Sequence, residues 1–207
     1  MVEAQLVARG IRSASVLAAF REVPRDAFVP AESRTDAYAD TPLPISEGQT
    51  ISQPYIVAAM IEALHLRESD RVLEVGTGSG YAAAILARLA RTVVTIERHA
   101  SLADEARTTL AALHVTNVIV VHGDGTLGVP EHAPYDAIVV AAAGPRVPDA
   151  LVAQLAEGGR LVMPVGARTE QVLVRITRSA NRMHRETLEA VRFVPLVGEQ
   201  GWPDRAR

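Results

Sequence analysis

A doubly wound α/β fold with a mostly parallel sheet is predicted by three observations on this sequence. Short apolar runs alternate with helical patterns from Arg71 onward, the rhythm of strands joined by crossover helices. A glycine turn, Gly76-Thr77-Gly78-Ser79-Gly80, links the first run to an alanine-rich helix. Glu74, Glu97 and Asp124 stand at the ends of three successive runs, and such sheets hold their ligands outside the carboxyl ends of their strands. The 207 residues, 48% hydrophobic and 22% charged, suit one globular domain. Within it the sequence divides into an N-terminal part (1–66), a ligand-binding core (67–166) and C-terminal strands (167–207).

Taken in order, Gln5, Leu6 and Val7 precede a stop at Gly10. Ser13 or Ser15 then caps a short helix through Val16, Leu17, Ala19 and Phe20, which Pro24 ends. From Phe28 to Gly48 the chain carries Pro30, Pro42, Pro44 and Gly48, which is loop chemistry with little room for regular structure. A loop of that length inside a compact domain is usually functional, here a lid from about Thr35 to Gly48. The next helix places Ile56, Ala59, Met60, Ala63 and Leu64 on one period, with Pro54 in its first turn. Ser52 then has two readings: the N-cap of that helix, which the pattern alone favours, or a hydroxyl held beside a ligand. Strands are predicted at 71–75, 92–96, 118–121, 135–141 and 160–164, with helices near 81–89, 101–113 and 148–156. Residues 171–177 and 188–195 read as two further strands, the second antiparallel.

Spacing decides which ligand suits the glycine turn. A dinucleotide fingerprint starting at Gly76 requires Gly or Ala at position 81, where Tyr81 stands. Glu74, just before the turn, would repel a pyrophosphate but suits the cationic amino and sulfonium groups of S-adenosylmethionine. Glu97 falls about 20 residues beyond the glycines, where a carboxylate accepts both ribose hydroxyls. The plainer alternative makes the glycines an ordinary turn and the acids helix caps. Three acids at three successive strand ends favour the cofactor.

Composition removes other classes. There is no cysteine, so disulfides, thiolate nucleophiles and cysteine-bound metals are excluded. A net charge of −3 and a pI near 6.1 provide no basic field for nucleic acid, and the 21 Lys and Arg residues read as a scattered solvated surface. No apolar run approaches membrane-spanning length, and the opening residues lack a basic stretch followed by an apolar one, so a cytoplasmic protein is expected. The six histidines, His65, His99, His114, His122, His132 and His184, show no metal-ligand spacing. Thr77 and Tyr81 replace the glycines of a nucleophile elbow around Ser79, and no triphosphate-binding Gly-x-x-x-x-Gly-Lys run occurs. A non-catalytic S-adenosylmethionine sensor and a nicotinamide oxidoreductase are the rivals from other classes, the second disfavoured by Tyr81.

Several segments together resemble a known family. Val72 to Leu86, Gly48-Gln49-Thr50-Ile51-Ser52-Gln53-Pro54, Gly123-Asp124-Gly125, Gly158 to Gly166 and Phe193-Val194-Pro195-Leu196 are similar to the protein-L-isoaspartate O-methyltransferases. The likeness runs from the opening helices to Trp202. The glycine motif is shared by many S-adenosylmethionine enzymes, whereas the Thr-Ile-Ser-Gln-Pro segment and the Val-Pro-Leu ending are more specific. The resemblance implies a Rossmann-like sheet of the S-adenosylmethionine-dependent methyltransferase type. It makes Ser52 the active-site serine and assigns Gln49, Thr50, Ile51, Ser52, Glu74, Gly76, Gly78, Glu97, Asp124 and Gly125 to the cofactor. Ala142, Ala143 and Gly144, with Val194 to Val197, become the substrate wall.

The implied reaction transfers a methyl group to the α-carboxylate of L-isoaspartyl residues in damaged proteins and peptides, by a monomer with no nucleic-acid or membrane partner. A carboxylate with an ordinary pKa near 4 is already ionised at neutral pH, so no general base is needed. Ser46, where the family usually has glycine, would stiffen the lid. Gly144, following alanines where alanine or proline is common, and Val197, often threonine, would alter hydrogen bonding to the substrate. A same-fold enzyme esterifying an encoded peptide aspartate or a small carboxylic acid is the nearest alternative.

Overall fold

The computed structural model describes residues 1–180 and 182–204. Its chain opens with tight turns over Val2–Leu6 and Val7–Arg9, ending at Gly10 in the left-handed region at φ 106°. Helix α1 (Ala14–Glu22) follows, capped by the Ser13 hydroxyl, which accepts from the Val16 amide. The segment predicted as loop carries more order than expected. It contains 3-10 turns at Arg25–Phe28 and Ala31–Asp36, then a hairpin of β1 (Leu43–Pro44) and β2 (Thr50–Ile51) around a tip at Ser46–Gly48. Prolines permit this because Pro44 sits at the end of a two-residue edge strand, where its missing amide breaks no ladder.

Helix α2 (Pro54–Ala63) corrects the capping expectation for Ser52. Its N-cap is Gln53, and no side chain caps it. Pro54 at the first helical position fixes the start of the helix, since its own missing N–H and preset φ belong there. Ser52 therefore lies one residue outside the cap and is not used to close the helix.

The core alternates β3 (Arg71–Val75), α3 (Tyr81–Ala87), β4 (Thr92–Glu97), α4 (Ala100–Ala112), β5 (Val118–His122), β6 (Tyr135–Val140), α5 (Asp149–Ala153) and β7 (Leu155–Gly166). Two strands close the sheet, β8 (Gln171–Ser179) and β9 (Arg182–Val191). The order is β5-β4-β3-β6-β7-β8-β9, parallel through β7. The predicted doubly wound, mostly parallel sheet is borne out.

The larger departures from the sequence reading lie in the C-terminal half of the chain. Helix α5 stops at Ala153, because Leu155 already pairs with Tyr135 as part of β7. Strand β9 runs from Arg182 to Val191; it is largely exposed and mostly polar, with Met183 and Leu188 exposed too, and gives no hydrophobic alternation to read. The strand that opposes the parallel body is β8, and β9, antiparallel to β8, runs with the body again.

Period-two alternation separates the interior into two cores. Val72, Val93, Ala137 and Val162 face α1, α2 and α3, with Phe20, Phe28, Ile61 and Ile85 packed on them. Leu73, Val94, Ile138 and Leu161 face Leu151 of α5, Tyr135 and Leu196. Glu74 and Thr95, partners in the parallel register, share the face of Val72 and Val93. Polar side chains are thereby placed on an otherwise apolar surface beneath the glycine turn.

Because Leu73 is fully buried on the central strand, Leu73→Ala should cost about 2–5 kcal/mol of stability. Urea unfolding at equilibrium checks this; a loss below about 1 kcal/mol would mean that the second core is looser than described.

Candidate active site

The turn after β3 is built by Gly76, Gly78 and Gly80 at φ 93°, 53° and 89°, a backbone run that side chains with a Cβ rarely adopt. Gly80 is the N-cap of α3, so the alanine-rich helix starts directly from the turn. Glu97, at the end of β4, pins it in place. One carboxylate oxygen accepts from the Gly78 amide at 2.9 Å and the other from the His99 amide at 3.1 Å. Each oxygen keeps a further acceptor site, so ribose hydroxyls can still be bound.

Glu74 is in a different condition. It is 1% exposed; one oxygen accepts from the Thr95 hydroxyl at 2.6 Å, and Thr77 Oγ1 lies 2.6 Å from Thr95 Oγ1. The other oxygen has no protein partner. Burial pushes the carboxyl up to about 8, with the Thr95 hydrogen bond pulling it down and the Glu97 charge adding to the rise. A buried carboxyl with an orphaned oxygen and a second acid near it is a site that a cation would satisfy.

These groups border a cavity of about 300 Å³. Its walls bring together Gln49, Thr50, Ile51 and Ser52 from the lid hairpin, Glu74, Gly76 and Gly78 from the glycine turn, Glu97, Gly125, Ala142 and Val197. Gly125 is fitted closely: a Cβ there would stand 2.5 Å from Val75 Cγ1. A second cleft of about 680 Å³ runs along the end of β9 past Arg9, Pro42, Glu189 and Arg192. The two share Thr50, Ser52, Ala141, Phe193 and Val194.

Three expected site residues, Asp124, Ala143 and Gly144, stand behind the wall. The Asp124 carboxylate accepts from the Thr126 amide and hydroxyl at 2.9 and 2.7 Å and from the Glu199 amide at 2.8 Å. Burial pushes its pKa up, but these bonds and Arg98 outweigh that, and the net shift is downward. It fastens the segment after β9 to the core. Ala143 does the same through its backbone, donating to Val194 O and accepting from the Leu196 amide and Trp202 Nε1. Gly144 is likewise close-packed, a Cβ there meeting Arg146 O at 2.8 Å.

The lid tip reaches α4. Glu47, at φ 58°, accepts from Ser101 Oγ at 2.6 Å, with His99 Nδ1 at 3.7 Å, and Ser46 Oγ donates to Glu105 at 3.0 Å. Sequence reasoning missed Arg25, taken with the other basic residues as solvated. It is fully buried, donating to Ala37 O and Ser52 O at 2.8 Å each. The only signal was its place between Pro24 and the lid. Among the described residues no group of three His, Cys, Asp or Glu could hold a metal ion.

The donor set suits S-adenosylmethionine: acids for a cationic methionyl end and for ribose, glycines for close approach, apolar walls for a ring. The raised Glu74 pKa makes a separate prediction. Between the ordinary carboxyl value of 4.5 and about 8 the folded chain keeps a proton that the unfolded chain releases. Stability without ligand should therefore fall as pH rises through that window, by at most roughly 1.4 kcal/mol per unit. Glu74→Gln should remove this slope; denaturant titrations at several pH values giving equal slopes for both proteins would count against it.

The chain is similar to known proteins over nearly all of its length. The family model described as Protein-L-isoaspartate(D-aspartate) O-methyltransferase matches residues 1–201. The chain is 61% identical to Protein-L-isoaspartate O-methyltransferase 1 of Rhodopseudomonas palustris (strain HaA2), over 98% of this chain and 83% of that protein. It is 58% identical to the Methanoregula boonei protein-L-isoaspartate O-methyltransferase, over 98% and 93%. A solved protein-L-isoaspartate O-methyltransferase superposes with a TM-score of 0.88 at 32% identity, over 97% of this chain and 67% of that one. A beta-aspartate methyltransferase from Plasmodium falciparum, solved in complex with S-adenosyl-L-homocysteine, gives 0.81 at 28% identity, over 95% and 96%. Matched by the family model over residues 1–201 and 61% identical to a named member over 98% of its length, the chain belongs to the protein-L-isoaspartate(D-aspartate) O-methyltransferase family.

Proposed function

We propose that Ser52 marks the point of methyl transfer in this chain, an S-adenosylmethionine-dependent enzyme that methylates the α-carboxylate of L-isoaspartyl residues in damaged proteins and peptides. The observation that carries the reading is the meeting of two cavities along a common wall that includes Ser52. Ser52 lines both the acid-floored cavity and the open cleft beside β9. A donor held in the first and a polypeptide laid in the second face each other there, with Thr50, Ala141, Phe193 and Val194 as common wall.

S-adenosylmethionine supplies an electrophilic methyl carbon on its sulfonium. Glu74 meets the cationic methionyl end and ionises beside it, Glu97 accepts from the ribose hydroxyls, and Gly76, Gly78 and Gly125 allow close approach. Gln49, Thr50 and Ile51 cover the same cavity from the lid. Asp124 belongs to this set through the loop it holds, which keeps Gly125 at the wall. Ala142 and Val197, assigned to the substrate, close the first cavity near its shared wall and not the open cleft, with Ala143 fixing the strap that carries Val197.

The acceptor carboxylate arrives ionised, so the protein's task is alignment, an effect able to supply about 7–11 kcal/mol. The Ser52 hydroxyl donates to one carboxylate oxygen and aims the other at the methyl carbon. The hairpin tip over α4 limits water, which would otherwise solvate the nucleophile.

The reading extends to one methyltransferase domain acting as a cytoplasmic monomer on other proteins. A cysteine-free, weakly acidic chain supports this. No helix among the described residues is long and apolar enough to cross a membrane.

The deciding assay offers labelled S-adenosylmethionine to two peptides differing only in isoaspartate against aspartate. Strong preference for the isoaspartyl peptide is expected; equal or absent labelling of both, with cofactor still bound, would overturn the assignment. Ser52→Ala should lower kcat about 100-fold or more, as loss of a preorganised donor to the reacting group does. S-adenosylhomocysteine affinity, measured by calorimetry, should fall by less than kcat does, since the aligning hydrogen bond is made to the acceptor.

A further inference from the structure

Arg25 poses a problem of cost. Its side chain is fully buried, and no carboxylate lies within ion-pair distance among the described residues. Desolvation lowers its pKa, with Tyr81 and Asp40 partly restoring it. A guanidinium stays charged all the same, and a buried cation without a paired anion is destabilising. Hydrophobic side chains of similar volume would pack this site without that cost. The guanidinium must therefore provide something that packing does not.

It ties together three segments that meet at the active site, two by donated hydrogen bonds and one through an aromatic ring. Nε donates to Ala37 O, where the 3-10 turn Ala31–Asp36 leads into the lid, at 2.8 Å. Nη2 donates to Ser52 O, also at 2.8 Å. The guanidinium carbon lies 4.8 Å from the centre of the Tyr81 ring, the first residue of α3 after the glycine turn. Tyr81 in turn lines the cofactor cavity and is held edge-on by Phe20 and Phe28. The third nitrogen, Nη1, has no hydrogen-bond partner.

Ser52 lacks other restraints of this kind: it lies outside α2, and the helix cap is Gln53. Its carbonyl, gripped by a buried cation on a rigid aromatic base, fixes the peptide plane from which the hydroxyl projects. We infer that Arg25 is a positioning residue for methyl transfer, acting through the Ser52 main chain to set the hydroxyl that aims the acceptor carboxylate. The inference rests on the reading of Ser52 given above.

A double-mutant cycle tests it, with kcat, KM for an isoaspartyl peptide and S-adenosylhomocysteine affinity measured on the full chain. Arg25→Gln should lower kcat about tenfold or more, the scale of a misplaced reacting group, while cofactor affinity changes less than about threefold. Arg25→Lys, which keeps charge and one donor, should recover part of the loss. In a Ser52→Ala background the effect of Arg25→Gln should shrink to less than about threefold, because residues acting through one another are not additive. An unchanged kcat in Arg25→Gln, or an effect of full size in the Ser52→Ala background, overturns the inference. If Arg25→Gln does not fold, Arg25→Lys carries the same cycle; failure of both to fold reduces Arg25 to a structural residue and also overturns it. Should Ser52→Ala itself leave kcat unchanged, the reading of Ser52 fails instead, independently of Arg25.

Discussion

The parallel register between β3 and β4 is the constraint on which the rest of the site depends. It sets Glu74 opposite Thr95, and the period of two puts both on the face covered by α1, α2 and α3. A carboxyl is thus buried where an apolar residue would serve the core better. The register also brings the end of β4 level with the glycine turn, so that Glu97 holds the Gly78 amide. A slip of one residue would turn Glu74 into the second core and remove Glu97 from the turn. Topology, cofactor floor and turn geometry therefore share one determinant.

The opposite wall is assembled from parts with little strength of their own. The hairpin of β1 and β2 has two residues on each strand, far below what stands alone in water. It gains its position from its surroundings: Arg25 at its base, the contacts of Glu47 and Ser46 with α4 at its tip, and Ile45 placed against the glycine turn. The segment after β9 is similarly tied, by Asp124 and by the backbone of Ala143. The rigid sheet thus carries one wall of the cavity, while the hairpin and the segment after β9 are held by polar ties that open locally at lower cost.

How much of this was legible in the sequence follows from where each signal resides. Strands β3, β4 and β6 are buried on both faces and β5 is an apolar edge run, so their sequences declared them, and the acids at their ends were visible as exceptions. Gly10 and Ser13 did what their chemistry suggests. Ser52 looked like a cap because serine before a proline-led helix usually is one; Pro54 at the first helical position gave that place to Gln53. Strand β9 was shortened because its first half, Arg182 to Arg185, has no apolar face to show. Arg25 was invisible because an arginine in a polar stretch reads as surface, and only the fold shows Phe28, Tyr81 and the lid closing over it. Asp124 was recognised by position, but its bonds to Thr126 and Glu199 could be seen only once the chain returned from β9.

Strand β9 has a further consequence. It ends the sheet, so one row of its backbone amides and carbonyls is left without a neighbouring strand. An enzyme that handles aged, partly unravelled polypeptides is continually exposed to loose strands able to add to such a rim. Arg182, His184, Arg185, Glu186 and Glu189 crowd that rim with charge of both signs, the feature by which sheet proteins discourage unwanted pairing. The same side chains that hid the strand from sequence reading protect the catalyst from being captured by its own clients.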